Sequence, residues 1–110
     1  MGKCVDLTNL RNAIDNDHEL EQELFQEYVE SSSALISDLH AGLASPAGNE
    51  DWRKAAHALK GISLNLGASA LGELAMAAQD AFEAAETEKS KMLSDISEEH
   101  ARVLAFLRDV

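Results

Sequence analysis

Apolar residues recur at three- and four-residue intervals along nearly the whole chain, and no stretch alternates strictly between apolar and polar. That spacing aligns side chains on one face of a helix and on no face of a strand, so the chain is confined to amphipathic helices that bury their stripes against one another. One proline and six glycines leave few places to interrupt them.

The breaks divide the chain into five helical segments. A short first helix is expected from Leu7 to Ile14. Asn16, with Glu19 three residues on, reads as a capping box that opens a long second helix. Its expected stripe is Leu20, Leu24, Tyr28, Leu35, Ile36, Leu39 and Leu43. The stretch LASPAGNE, containing Pro46 and Gly48, ends it. Asn49 reads as the cap of a third helix beginning just before Trp52, with Glu50 and Asp51 at the positive end of its dipole. Gly67 sits where a helix end needs a left-handed residue. Ser69 is the expected cap of a fourth helix, with Leu71, Leu74, Ala75, Ala78 and Phe82 inward. Thr87 is the expected cap of a fifth, with Leu93, Ile96, Val103, Leu104 and Leu107 inward.

Four long stripes joined by short connections predict an all-α fold, an antiparallel four-helix bundle with a short additional N-terminal helix over one end. A chain of 110 residues with 45% hydrophobic content supports one such domain, spanning residues 1–110.

Charge narrows the partners. Twenty acidic against nine basic residues give a formal charge of −11, which opposes binding to nucleic acid or to an anionic membrane. The lone Cys4 cannot form an internal disulfide, no apolar run spans a bilayer, and no secretory signal opens the chain; a soluble cytoplasmic protein is expected. The opening MGKCVD lacks the Ser or Thr that an acylation signal carries at the position of Asp6.

One stretch breaks the economy of inward apolar and outward charged residues: HALKGISLNLGA, from His57 to Ala68. Ala55, Leu59, Ile62 and Leu66 share one apolar line, and His57 projects away from it. Arg53, Lys54, Lys60, Gly61 and Leu64 fall within about 60° of His57 at the helical rotation of about 100° per residue. A free imidazole titrates near about 6.5, so an exposed one offers a nitrogen lone pair at neutral pH. Lys60 lies within reach of phosphoryl oxygens on such an imidazole, and Gly61 removes a side chain that would crowd an approaching partner. Projection alone leaves two readings open: a phosphoryl-carrying nucleophile, or a solvated surface histidine beside a tolerated glycine.

The motif HALKGISLNLGA closely resembles the signature of histidine-containing phosphotransfer (HPt) domains of phosphorelays. Asp51 and Trp52, the AAH of Ala55 to His57, and the acidic second helix ending in a Gly- and Pro-containing loop extend the resemblance over nearly the whole chain. The resemblance implies that His57 is the phosphorylated residue, that Lys60 assists the phosphoryl group or docking, and that Gly61 keeps the surface open. It also implies that Gln79, on the following helix, hydrogen-bonds near the imidazole. Ile62 departs from the pattern, standing where many relatives have a small residue; it projects inward and bears on packing.

The remaining candidates are weaker. His18 lies near a helix start, His40 on a stripe edge, and His100 within the apolar line of the last helix, where a histidine is usually a satisfied core group. No zinc motif or Cys/His cluster points to a metal site. The run Ser31 to Ser33 lacks a nucleophile elbow, and Met76 and Met92 read as packing residues.

No P-loop or other glycine-rich phosphate cradle is present, so ATP-dependent kinase activity is not expected. The resemblance implies a phosphocarrier that takes a phosphoryl group from the phospho-aspartate of one receiver domain and passes it to the aspartate of a second, for example on a hybrid sensor kinase and a response regulator. It implies no cofactor here, the Mg2+ being held by the receiver. Docking is expected through Arg53, Lys54, Gly61 and Leu64 with apolar residues of the second helix, on a monomer. A helical adaptor that binds a receiver without carrying phosphate is the alternative. The dimerisation segment of a sensor kinase fits less well, since this chain supplies four stripes rather than a two-helix hairpin. Met1 and the compact length favour a free-standing protein over a module of a hybrid kinase.

Overall fold

A computed structural model describes residues 4–43 and 46–110 of the chain. Met1 to Lys3, on which the acylation and free-standing readings drew, and Ala44 and Ser45 of the interhelical loop lie outside that range. The elements are α1 (Thr8–Ala13), α2 (His18–Ala41), a 3-10 turn (Pro46–Gly48), α3 (Asn49–Leu66), α4 (Ser69–Asp80) and α5 (Glu86–Asp109). Helices α2 to α5 form the expected antiparallel bundle, each packing on two neighbours: α2 on α3, α3 on α4, α4 on α5 and α5 back on α2. No strand occurs among the described residues.

The apolar line of α3 is inward as expected, with Ala55, Leu59 and Leu66 buried and Ile62 packed against the core. Leu71, Ala75 and Ala78 of α4 and Leu93, Ile96, Val103 and Leu107 of α5 are likewise buried, while Leu104 is only half-buried. In α2, Tyr28 and Leu39 are buried and Leu35, Ile36 and Leu43 pack on the core as expected, but the first turn differs. Leu20 is exposed, and Glu21 takes the buried position beside Phe25, Tyr28 and Ser32. Glu21 can be there because Arg11 of α1 meets its carboxylate at 2.6 Å, leaving no uncompensated charge.

Four expected caps move. Asp15 and Asn16 both have positive φ, closing α1 in a left-handed turn that Asp and Asn tolerate better than most residues. The cap of α2 is therefore Asp17, whose Oδ1 accepts from Leu20 N at 3.1 Å, and Glu19 is an acidic first-turn residue instead of a capping-box partner. Asn49 is the first residue of α3, and its Oδ1 accepts from the Lys89 ammonium at 2.6 Å. Ser69 is already helical; the preceding Ala68 is fully buried and binds back to Ser63 O at 2.8 Å. Thr87 also lies inside its helix, which begins at Glu86 after Ala85.

Gly67 does end α3 in the left-handed region, at φ 103°. A Cβ there would lie 1.9 Å from Asp6 O, and the Asp6 amide donates to Gly67 O at 2.9 Å. The segment before α1 is thus strapped across the α3–α4 corner, with Val5 and Leu7 buried in the core. Val5 and Leu7 also share a surface hollow with Phe106 and Val110 near the end of α5.

Buried polar contacts link the helices in specific pairs. Tyr28 Oη and Ser63 Oγ meet at 3.0 Å between α2 and α3, and Ser32 Oγ meets His100 Nε2 at 2.8 Å between α2 and α5. The Trp52 indole N–H donates to Ala78 O at 2.8 Å between α3 and α4. No buried side-chain nitrogen or oxygen is left without a partner among the described residues, as a buried polar group requires.

Two outcomes follow. Gly67→Ala is expected to destabilise the fold by at least about 1–3 kcal/mol from left-handed backbone strain, with the overlap on Asp6 added, measured as a lower urea midpoint. Burial lowers the pKa of His100, so the unfolded chain takes up a proton that the folded one resists. Stability is full above the unfolded histidine value of about 6.5 and declines as pH falls below it. Urea midpoints for the wild type should drop between neutral and mildly acidic buffer, and His100→Gln should flatten that drop.

Candidate functional site

His57 lies near the middle of α3 and is exposed, on the face opposite the buried Ala55–Leu59 line. Its Nδ1 lies 3.4 Å from the Oε1 of Gln79, which α4 presents from its last turn. The two helices run antiparallel from Gly67, so a residue ten positions before that turn faces one twelve positions after it. The contact is at the long end of a hydrogen bond. A glutamine oxygen accepts, so the contact requires a proton on Nδ1; Nε2 then keeps its lone pair for reaction.

The three cations around His57 differ in availability. Arg53 forms a two-pronged pair with Glu50, with Nε at 3.1 Å, and holds that carboxyl below the usual carboxylate range. Lys54 is exposed and adds to the field on Glu50. Lys60 makes no hydrogen bond or ion pair among the described residues. Like Lys54, it is free to meet an incoming anion, and it lies one helical turn from the imidazole.

Glycine at position 61 has no internal reason. A Cβ there would meet nothing within 4 Å, so the residue neither avoids a clash nor takes a left-handed backbone. Gly72 of α4 is different, because its missing Cβ makes room for Leu64, whose Cδ2 would lie 2.5 Å away. Leu64 rests there while remaining 49% exposed, and Met76, one turn along α4, is 47% exposed. Met76 is thus not the packing residue its type indicated. Its helical angle from Leu71, Ala75 and Ala78 already points outward, and position outweighs residue type.

A second apolar hollow lies between α2 and α3, lined by Leu24, Tyr28, Ile62 and Leu66 with Leu10 of α1. Among the other histidines, His18 and His40 are exposed and His100 is the buried partner of Ser32. No cluster of three or more His, Cys, Asp or Glu is arranged for a metal ion among the described residues, and no described helix is long and apolar enough to cross a membrane. Sequence reasoning missed the indole of Trp52 and its bond to Ala78, next to Gln79. Nothing in residue spacing signals a donor that reaches a backbone carbonyl on another helix.

The family model described as Hpt domain matches residues 23–108. Among solved structures, the fold is similar to the crystal structure of histidine-containing phosphotransfer protein B (HptB) from Pseudomonas aeruginosa PAO1. The TM-score is 0.85 at 21% sequence identity, covering 99% of this chain and 95% of that one. A comparison with curated proteins gives no match.

The open space at Gly61 gives a direct test of whether that glycine serves the fold. Gly61→Ala should raise stability by about 1 kcal/mol, the usual helix-interior difference, read as a higher melting temperature. A loss of stability would reveal an internal role for the glycine.

Proposed function

The chain belongs to the Hpt domain family, whose role is histidine phosphotransfer in phosphorelays, and from that premise we propose that His57 is its phosphoryl carrier. A receiver's phospho-aspartate would be the donor. Nε2 attacks the phosphorus, a nitrogen–phosphorus bond forms, and the phosphorus–oxygen bond to the aspartyl carboxylate breaks, releasing that carboxylate. Transfer to a second receiver's aspartate is the same exchange in reverse. Direct His57–Gln79 contact at the exposed centre of the basic face is the observation that carries this reading.

Each neighbour has a distinct task in this proposal. Gln79 accepts from Nδ1–H, which leaves Nε2 as the nucleophile and orients the ring. Lys60 offsets charge on the phosphoryl oxygens as they pass. Arg53, Lys54 and Leu64 meet the receiver around the imidazole, and the open surface at Gly61 lets it come close. The catalytic Mg2+ belongs to the acidic pocket of the receiver, and this chain supplies a nucleophile without ATP-dependent chemistry of its own. An open site of this kind suits brief complexes that release after transfer, and the protein acts as a cytoplasmic monomer between its two receivers.

Incubation with a phosphorylated receiver should place an acid-labile, alkali-stable label on the protein, absent in His57→Gln. Binding without any label in the wild type would instead identify the non-phosphorylated adaptor. Lys60→Ala should slow labelling roughly tenfold, equivalent to about 1.4 kcal/mol in the barrier. Gly61→Ala, although more stable, should also transfer more slowly, and an unchanged rate there would remove the close-approach role of the glycine.

A further inference from the structure

The end of α4 that carries Gln79 has little of its own to hold it in place. Helix α4 has only 12 residues, no basic residue in its last turn, and an end at Ala81 with φ −95°, without a left-handed residue. The last carbonyls of a helix lack partners within it, and such ends open readily. The Ala81 amide satisfies Ala77 O and Ala78 O only at 3.1 and 3.2 Å. The short, well-buried contact at this end comes from outside the helix, from the Trp52 indole N–H to Ala78 O at 2.8 Å.

We propose that Trp52 is a positioning residue for the phosphoryl site, acting through the Ala78 carbonyl to hold the last turn of α4 so that Gln79 meets His57 Nδ1. This rests on the reading of His57 as the phosphoryl carrier. Trp52 and His57 stand on the same helix, five residues apart, and grip adjacent residues of α4. Helix α3 therefore carries both the nucleophile and the donor that sets the position of its orienting amide. The 3.4 Å contact leaves little slack; a shift of about 1 Å in that turn would break it, the scale at which misplacement costs catalysis dearly.

The indole is itself fixed from two further directions. Its ring faces the Lys89 ammonium of α5, 5.2 Å from the ring centroid, and that ammonium is tethered to Asn49 at 2.6 Å. A Cβ at Gly42 would come within 3.2 Å of Trp52 Cβ, so the end of α2 closes onto the root of this side chain. A fully buried indole clamped in this way transmits its position to α4 with little freedom of its own.

The test uses the full chain with Trp52→Phe, which keeps an aromatic ring and removes the N–H. Imidazole nitrogen NMR of the unphosphorylated protein in alkaline buffer should show His57 moving from the Nδ1–H tautomer towards a mixture with Nε2–H. Gln79→Ala should produce the same shift, and the double variant should move no further. Transfer at saturating receiver should fall roughly tenfold with the half-saturating receiver concentration unchanged, as expected for lost orientation. Because the chain has one tryptophan, its biosynthetic replacement by 3-benzothienylalanine, with sulfur in place of N–H, gives a second variant of nearly constant shape if Trp52→Phe does not fold. Unchanged His57 tautomer signals and transfer rate, with only a lower melting temperature, would make Trp52 purely structural and overturn the proposal. Failure of the wild type to take up acid-labile label would sink the carrier reading instead, and the tautomer measurement would still decide the positioning role.

Discussion

An indole taken fully out of water must find an acceptor for its N–H, and the acceptor here is a backbone carbonyl at the end of a neighbouring helix. That requirement organises one end of the bundle. Helix α4 is half as long as α2 or α5, so it stops partway up α3 and leaves a gap beyond its last turn. Trp52 fills the gap from α3, the ammonium of Lys89 closes it from α5, and the facing Gly42 and Gly48 bring the α2–α3 connection down onto it. Leaving the N–H buried without its partner would cost about 1–3 kcal/mol, so the end of α4 and the place of Trp52 are fixed together.

The same logic extends through the core. An all-apolar bundle interior permits helices to slide or rotate by one step with little change in buried area. Tyr28–Ser63, Ser32–His100 and Lys89–Asn49 each join a different pair of helices and are satisfied in one register only. Replacing such groups by well-packed apolar residues often leaves a protein as stable or more so, so their contribution lies in specifying one arrangement. That arrangement sets which residues of α3 and α4 face each other at the surface, and it brings His57 and Gln79 together.

Periodicity was enough to read four stripes, the left-handed end at Gly67 and an imidazole facing outward, because each follows from helix rotation and local backbone chemistry. Position alone did not distinguish His57 from an ordinary surface histidine, and Gln79 was legible only through a family pattern. What escaped were polar residues with distant partners. Glu21 and Lys89 look like outward charges until Arg11 and Asn49 are brought beside them by the fold. Asn16, Asn49 and Ser69 have the right chemistry for caps, but the turn at Asp15 and Asn16, the ammonium of Lys89 and the burial of Ala68 set the helix starts differently. For Glu21, Lys89 and Asn49 the deciding contact comes from another helix, where spacing carries no information.

The strap from Asp6 to Gly67 and the hollow shared by Val5 and Val110 place both ends of the described chain at one pole of the bundle. Trp52 lies fifteen residues from Gly67 along α3, about 22 Å at the usual helical rise, and His57 lies between them on the outer flank. A segment continuing from either described end would therefore start at the pole remote from Trp52. Anchored by its root, the bundle would keep the flank that carries His57 clear.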